Sequence, residues 1–290
     1  MKKEQLSSFV DKEVIYNGEG STIYRLSDKR ILKVASPLVF KTCDMVGTSY
    51  ESKILSTAAR SVKEIVCPLT AVYNGSKCIG YTMEEINGVD LNNYDANYSL
   101  FERADLNKYA LLYSKIEQVV KKANKVGIVM PDLCTCDNII ILPNGNLRFI
   151  DFDGMQFGSK DKSIALSTSL GNPINYIYSK KYSNSFFSFS KELDKTSLTI
   201  LMFLVVFNIN LTKIGQVNPF TGKVVTFNEI FQLLGIEDEV FMNKVALNLS
   251  SDKAGVYLED ELFKIARNYD MCVAQLPNMK DSYMKKLIKK

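Results

Sequence analysis

The sequence predicts an α+β fold with two lobes, a small β-rich N-terminal lobe containing one helix and a larger α-helical C-terminal lobe. The first 86 residues contain short strand-like stretches separated by turn signals, whereas most of the chain after Leu193 has helical character. A length of 290 residues suits one large domain or two lobes. We therefore assign residues 1–86 to the N-terminal lobe and 87–290 to the C-terminal lobe, with a linker near Asn87-Gly88.

A five-stranded sheet and one helix are expected in the N-terminal lobe. Pro37 is expected to end the first hairpin region, and residues 49–60 show a helical pattern. Asn74-Gly75-Ser76 predicts a turn between the last two strands. The stretches rich in strand-forming residues are 14–16, 21–26, 30–34, 66–73 and 78–83.

The C-terminal lobe combines helices with one predicted hairpin. Apolar residues at helical spacing predict a helix over 106–125. Residues 139–142 and 147–150 flank a Pro-Asn-Gly-Asn turn signal, which predicts a β-hairpin. The apolar run 198–207 is shorter than the roughly 20 residues of a membrane span, so we expect a buried core helix there.

The composition excludes several classes of function. The chain has no His, which excludes Ser-His-Asp and Cys-His catalysis and any His-ligated metal. The net charge of +4 is too small to indicate a nucleic-acid partner. The six cysteines form no C-x-x-C pair, and the N-terminus has no apolar signal region, so we expect reduced thiols, no membrane span and a cytoplasmic protein.

Two N-terminal features could bind phosphate. Gly18-Glu19-Gly20 lies between two predicted strands, where glycines would let backbone N–H groups approach phosphate oxygens, although a plain hairpin has the same pattern. Lys33 lies within a strand and could bind phosphate as a point charge if it faces a cleft, although a strand lysine usually points to water. Glu51, on the next predicted helix, is the expected partner that would hold it.

The most specific pattern combines a loop and a hairpin. Asp132 and Asn138 lie in one loop, and Asp151 follows the predicted hairpin 13 positions after Asn138. Oxygen ligands of this kind suit Mg²⁺, which takes one or two carboxylates together with substrate phosphates. A carboxylate-rich surface turn is the alternative, but the apolar residues on either side indicate that the hairpin is buried.

These motifs follow the order of the protein kinase-like superfamily, which the chain resembles over almost its whole length. The resemblance implies a bilobal protein kinase-like fold that binds ATP and Mg²⁺. It also implies a role for each matching residue: Gly18 and Gly20 in the glycine-rich loop, Lys33 with its partner Glu51, Met83, Glu84 and Ile86 at the gatekeeper and hinge, Asp90 at the ribose, Asp132 as the catalytic aspartate, and Asn138 and Asp151 as metal ligands.

Several departures from the family pattern indicate a divergent kinase of bacterial or phage style. Ile23 replaces the third glycine, and Met130-Pro131 replaces the His-Arg before the catalytic aspartate. Six positions separate Asp132 from Asn138 where the family has five, which makes Asp137 a second candidate near the site. Asp153 replaces the glycine of the Asp-Phe-Gly triplet.

The resemblance implies an ATP-dependent phosphotransferase whose expected acceptor is a Ser or Thr of a protein substrate. A pseudokinase that binds nucleotide or serves as a scaffold is the first alternative, favoured by the inserted residue and the lost His-Arg. A small-molecule kinase of the aminoglycoside phosphotransferase type is the second alternative. Gly171-Asn172-Pro173, which resembles the end of an activation segment, argues against the second alternative.

Overall fold

A computed structural model describes residues 1–94, 106–133, 136–158, 161, 191–207, 226–250 and 255–273. It is a mixed α+β structure with a sheet-rich N-terminal region and a helical C-terminal part, as predicted. The chain divides into two compact units. Among the described residues, the first unit holds 1–94, 119–161 and Lys191, and the second holds 106–118 and those after Lys191. These units are discontinuous in sequence, so the lobe boundary after Ile86 stays a prediction.

The N-terminal sheet has six strands rather than the five expected. In the order β1-β5-β6-β4-β3-β2, all neighbours are antiparallel except β1 and β5, which are parallel. The extra strand β1 was missed because its polar sequence has no strand pattern, and pairing with β5 determines its conformation. The strands are β1 (Lys2–Gln5), β2 (Lys12–Asn17), β3 (Ser21–Leu26), β4 (Arg30–Ala35), β5 (Thr70–Asn74) and β6 (Lys77–Glu84).

The two faces of this sheet carry different kinds of buried side chain, apolar on one face and a charged lysine on the other. Side chains alternate between the faces along each strand, so Leu32 and Lys33 in β4 point in opposite directions. Leu32 packs with apolar side chains of neighbouring strands and with Leu6 and Phe9, which follow β1. Lys33 points to the other face and lies beside Tyr81 of β6. The segment after β1 thus covers one face of the sheet.

Two α-helices follow β4, where one was predicted. Helix α1 (Pro37–Val46) begins at Pro37, which the sequence analysis placed at the end of a hairpin region. Strand β4 ends at Ala35, so the hairpin region does end before Pro37, but the helix that begins there was not predicted. Proline suits the first turn of a helix, because its missing N–H has no partner there anyway. Helix α2 (Tyr50–Ile54) is much shorter than the predicted 49–60, and a 3₁₀ turn at Ala58–Ser61 follows it.

The predicted hairpin is present, and its backbone is hydrogen-bonded to the segment that precedes β5. Strands β9 (Ile139–Ile141) and β10 (Leu147–Phe149) pair in antiparallel register. The Phe149 N–H donates to the carbonyl of Glu64 at 2.8 Å, and its carbonyl accepts from Val66 at 2.8 Å. The remaining short strands are β7 (Val89–Asp90), which pairs with β9, and β8 (Ile128–Val129) and β11 (Gln156–Phe157), which pair with each other.

The helical part agrees with the sequence prediction. Helix α3 (Leu106–Lys125) has the predicted bounds. The other helices in the described part of the chain are α4 (Lys191–Val205), α5 (Phe227–Leu234), α6 (Glu239–Ser250) and α7 (Glu259–Val273). The apolar run 198–207, most of which lies in α4, is buried at almost every position, as expected for a core helix. Within the described residues, no helix has the length and apolar character needed to cross a membrane.

Candidate functional site

The candidate site begins with a pair of side chains on the sheet. Lys33 of β4 lies directly opposite Tyr81 of β6, and side chains opposite each other in an antiparallel pair share a face. The Lys33 side chain is 11% exposed and Tyr81 is fully buried. Lys33 therefore does not point to water, and its charge requires partners inside the protein.

Those partners are two carboxylates from one short segment. Lys33 donates to Asp153 at 2.7 Å and also forms an ion pair with Asp151. Asp153 further accepts hydrogen bonds from the hydroxyls of Tyr81 at 2.9 Å and Tyr50 at 3.2 Å. Burial raises the pKa values of both tyrosines, so they remain donors at neutral pH.

The backbone after β10 turns sharply at Asp151. Its φ of 64° lies in the left-handed region, and a 3₁₀ turn over Phe152–Gly154 follows. Aspartate tolerates this conformation better than most residues. Phe152 is fully buried and packs on Phe157 with ring centroids 4.7 Å apart. The turn brings Asp151 and Asp153 together around Lys33.

Lys33 affects its two carboxylates unequally. Burial alone would lower the pKa of Lys33, but attraction to Asp151 and Asp153 outweighs burial and raises it. Burial raises the pKa of Asp151 despite the attraction of Lys33. For Asp153, Lys33 and the Tyr81 hydrogen bond outweigh burial, and its pKa is lowered. Asp153 is therefore the more firmly ionised partner of Lys33.

Asp132 and Asn138 line a small cavity together with Asp151. The Asn138 amide donates to the Asp132 carbonyl at 3.3 Å, which closes the loop between them. Cys136, within this loop, has a φ of 65°, a strained value for this residue type. The cavity measures about 20 Å³ and is lined by residues 130–133, 138–139, 149–151 and 154–155. It has room for an ion or a water molecule but is much smaller than the roughly 300 Å³ of a small-molecule site.

The electrostatics of this loop fit a cation. The pKa of Asp132 is raised to about 7, first by burial and then by repulsion from Asp151 and Asp137. A divalent cation would offset this repulsion, and the amide oxygen of Asn138 and the carboxylate of Asp151 are suitable donors for Mg²⁺. Among the described residues, no group of three or more Asp, Glu or Cys side chains is arranged to hold a metal ion. Any Mg²⁺ here would therefore have few protein ligands, completed by phosphate oxygens and water.

The expected pairing of Lys33 with Glu51 is wrong for this structure. The Glu51 side chain is 39% exposed and accepts hydrogen bonds from Lys3, at 3.2 Å, and Tyr73. The hydrogen bond from Tyr73, and then that from Lys3, lowers the pKa of Glu51. The cause is the orientation of α2, whose buried residues are Tyr50, Lys53 and Ile54, so Glu51 lies outside the buried face.

The predicted nucleotide-binding residues lie at the sheet and in the connections after it. The Gly18 N–H donates to the Ser21 carbonyl at 3.0 Å across the turn between β2 and β3, and the Gly20 carbonyl accepts from the Ser36 N–H, just after β4, at 3.0 Å. Met83 is buried in β6, Glu84 ends β6 and pairs with Arg148, and half-buried Ile86 follows. Asp90 in β7 accepts from the backbone and side-chain nitrogens of Asn93, at 2.9 and 2.7 Å.

Sequence reasoning missed three contributors to the site. Asp153 was noted only as a departure from the family triplet, and it lies 120 positions from Lys33, so only the fold brings the two together. Tyr50 and Tyr81 carry no local motif, and only the sheet register and the orientation of α2 bring them to Asp153. The Gly171-Asn172-Pro173 segment lies outside the described residues, so its resemblance to the end of an activation segment stays a prediction.

The sequence was also compared with known proteins. No family model matches the chain, and no curated protein matches it.

Proposed function

We propose that the protein is an ATP-dependent phosphotransferase whose expected acceptor is a Ser or Thr hydroxyl of a protein. The observation that carries this proposal is the contact between Lys33 and Asp151, which are 118 positions apart in the chain. Asp132 and Asn138 line the same cavity as Asp151. A buried lysine, a carboxylate, an amide and a second carboxylate are the groups that phosphoryl transfer requires for positioning and charge neutralisation.

Each residue has a distinct proposed task. Lys33 would bind nucleotide phosphates as a fixed positive charge. Asp151 and Asn138 would hold Mg²⁺, which supplies charge neutralisation at the phosphates. Asp132 would orient the acceptor hydroxyl and accept its proton.

A nucleotide-binding or scaffolding module without catalysis is the second candidate. Lys33 is already paired with two carboxylates, and Glu51 is directed elsewhere. These observations favour a protein in which the Lys33 contacts must rearrange before ATP can bind, or a protein that does not use ATP.

The test is binding and turnover of Mg-ATP by the full chain. We expect millimolar Mg-ATP to raise the melting temperature by mass action, and Lys33→Met to remove most of that shift. Radiolabelled ATP with generic protein acceptors should give phosphate transfer that depends on Mg²⁺. Asp151→Asn should lower this transfer and raise the Mg²⁺ concentration that it needs, because the carboxylate that holds the ion is lost. Binding without transfer would leave the non-catalytic candidate, and the absence of both would contradict the proposed function.

A further inference from the structure

We propose that Asp153, rather than Glu51, is the carboxylate that positions Lys33 for the nucleotide phosphates. This inference rests on the proposed phosphotransferase function. Asp153 is 3% exposed and lies where the family triplet has a glycine, which could not supply a carboxylate. It is therefore a positioning residue, which acts through Lys33 rather than on the reacting atoms.

Both oxygens of Asp153 are held in place by neighbouring elements. Oδ1 accepts from Lys33 at 2.7 Å and from Tyr81 at 2.9 Å, and Oδ2 accepts from Tyr50 at 3.2 Å. Lys33 and Tyr81 belong to adjacent strands, and Tyr50 belongs to α2. Because Tyr81 and Tyr50 hold the Asp153 carboxylate from two different elements, it can in turn hold the Lys33 amine in one position.

Asp151 is less suited to this task, although it also contacts Lys33. Its side chain is 26% exposed, compared with 4% for that of Asp153. Its proposed role is to hold a cation, so its charge would be shared with that cation when Mg-ATP binds. Asp153 faces Lys33 and two tyrosines and would keep its contact with Lys33 during binding.

Glu51 is not placed to share the task. Its carboxylate is bonded to Lys3 and Tyr73, and Tyr50, which precedes it, lies on the buried face of α2 and reaches Asp153. The helix therefore contributes a hydroxyl to the lysine site, where the sequence suggested a carboxylate. This exchange accounts for the acidic residue at position 153.

Steady-state kinetics of isosteric variants provide the first test. We expect Asp153→Asn to raise the KM for ATP by about ten- to a hundredfold, as for the loss of a hydrogen bond to a charged group, with a smaller effect on kcat. Glu51→Gln, the matched control, should stay within about twofold of the wild type. A KM unchanged by Asp153→Asn, or raised equally by Glu51→Gln, would overturn the assignment.

A milder pair of variants allows the test even if Asp153→Asn does not fold. Tyr81→Phe removes one donor to Asp153 without changing any charge, and Tyr73→Phe removes the equivalent donor to Glu51. We expect only Tyr81→Phe to raise the KM for ATP. Equal effects of the two variants, or a lower melting temperature without any change in KM, would reduce Asp153 to a structural residue and overturn the proposal.

A double-mutant cycle on stability gives a readout that needs no ATP. The shifts in urea midpoint for Lys33→Met and Asp153→Asn should be clearly non-additive, whereas those for Lys33→Met and Glu51→Gln should add. Additive shifts for the first pair would overturn the proposal. If the wild type does not bind Mg-ATP, both the proposed function and this role of Asp153 are overturned. If the wild type and Asp153→Asn bind Mg-ATP with equal affinity, only the role of Asp153 is overturned.

Discussion

Lys33 and Tyr81 lie opposite each other on adjacent antiparallel strands and donate hydrogen bonds to the same oxygen of Asp153. This relationship depends on the register of β4 and β6. A slip of one residue would turn Lys33 to the face occupied by Leu32 and would separate it from both carboxylates. The register of the sheet is therefore a condition for the candidate site.

Gly80→Ala should destabilise the protein and disturb the Lys33 site. A Cβ at position 80 would lie 2.1 Å from the backbone carbonyl oxygen of Lys33, so the strands would have to separate. We expect a loss of about 2 kcal/mol or more in the free energy of unfolding, measured by urea denaturation. Gly20→Ala is the control for stability, because no atom lies within 4 Å of its added Cβ. Equal stability of the two variants would contradict this account of β4 and β6.

Elements with strong local patterns could be predicted from the sequence. Strand β3, helix α3 and the hairpin of β9 and β10 have the expected position and type, because their apolar spacing and turn residues agree with their final environment. Strand β1 could not be predicted, because its conformation depends on pairing with β5, far away in the chain.

The candidate site was predictable only in part, for a related reason. Asp132, Asn138 and Asp151 belong to one local motif, and the structure places all three around one cavity. Glu51 was selected by its place in the chain order, but helix orientation, which the chain order does not specify, decides which residues of α2 are buried. The contribution of Tyr50 to the lysine site has the same cause.

Substitutions in the catalytic loop should separate the roles of its two aspartates. Asp132 lines the cavity beside Asp151, whereas Asp137 is exposed. If Asp132 accepts the acceptor proton, Asp132→Asn should lower kcat by about a hundredfold or more and leave ATP affinity nearly unchanged. Asp137→Asn is the matched control and should retain most of the activity. Full activity of Asp132→Asn together with loss in Asp137→Asn would move the base to Asp137.

Two buried cysteines should be inert in the native protein. Burial raises the pKa values of the Cys43 and Cys78 thiols to about 11, so their thiolate fraction at pH 7 is roughly 1 in 10,000. We expect negligible alkylation of both by iodoacetamide until urea unfolds the chain, as measured by peptide mass spectrometry. Cys67 is partly exposed and should react sooner. Rapid labelling of Cys43 in the native state would show that α1 opens readily.

Asp161 should contribute strongly to stability through a buried lysine. Its carboxylate accepts from Lys53 at 2.7 Å, Thr48 at 3.0 Å and the Phe157 N–H at 2.9 Å. The Lys53 side chain is fully buried and also donates to the Met155 carbonyl at 2.8 Å. Asp161→Asn leaves this buried ammonium without its main counter-charge, which should cost about 3 kcal/mol at pH 7. Urea denaturation should show that the double variant loses less free energy of unfolding than the sum of the losses in Asp161→Asn and Lys53→Met.

The pH dependence of Asp161→Asn should identify Lys53 as the cause of the loss. Burial lowers the pKa of Lys53 in the folded protein despite the attraction of Asp161. A lysine whose pKa is lower in the folded than in the unfolded state opposes folding at low pH, and this penalty disappears as pH rises towards the unfolded value. Removing Asp161 lowers the pKa of Lys53 in the folded state further. The loss of stability from burying the charged lysine is then larger at pH 7, and it starts to decrease at a lower pH. The stability deficit of Asp161→Asn relative to the wild type should therefore shrink between pH 7 and 10. A deficit that stays constant over this range, or that is equally pH-dependent in the background of Lys53→Met, would show that Lys53 is not the group responsible.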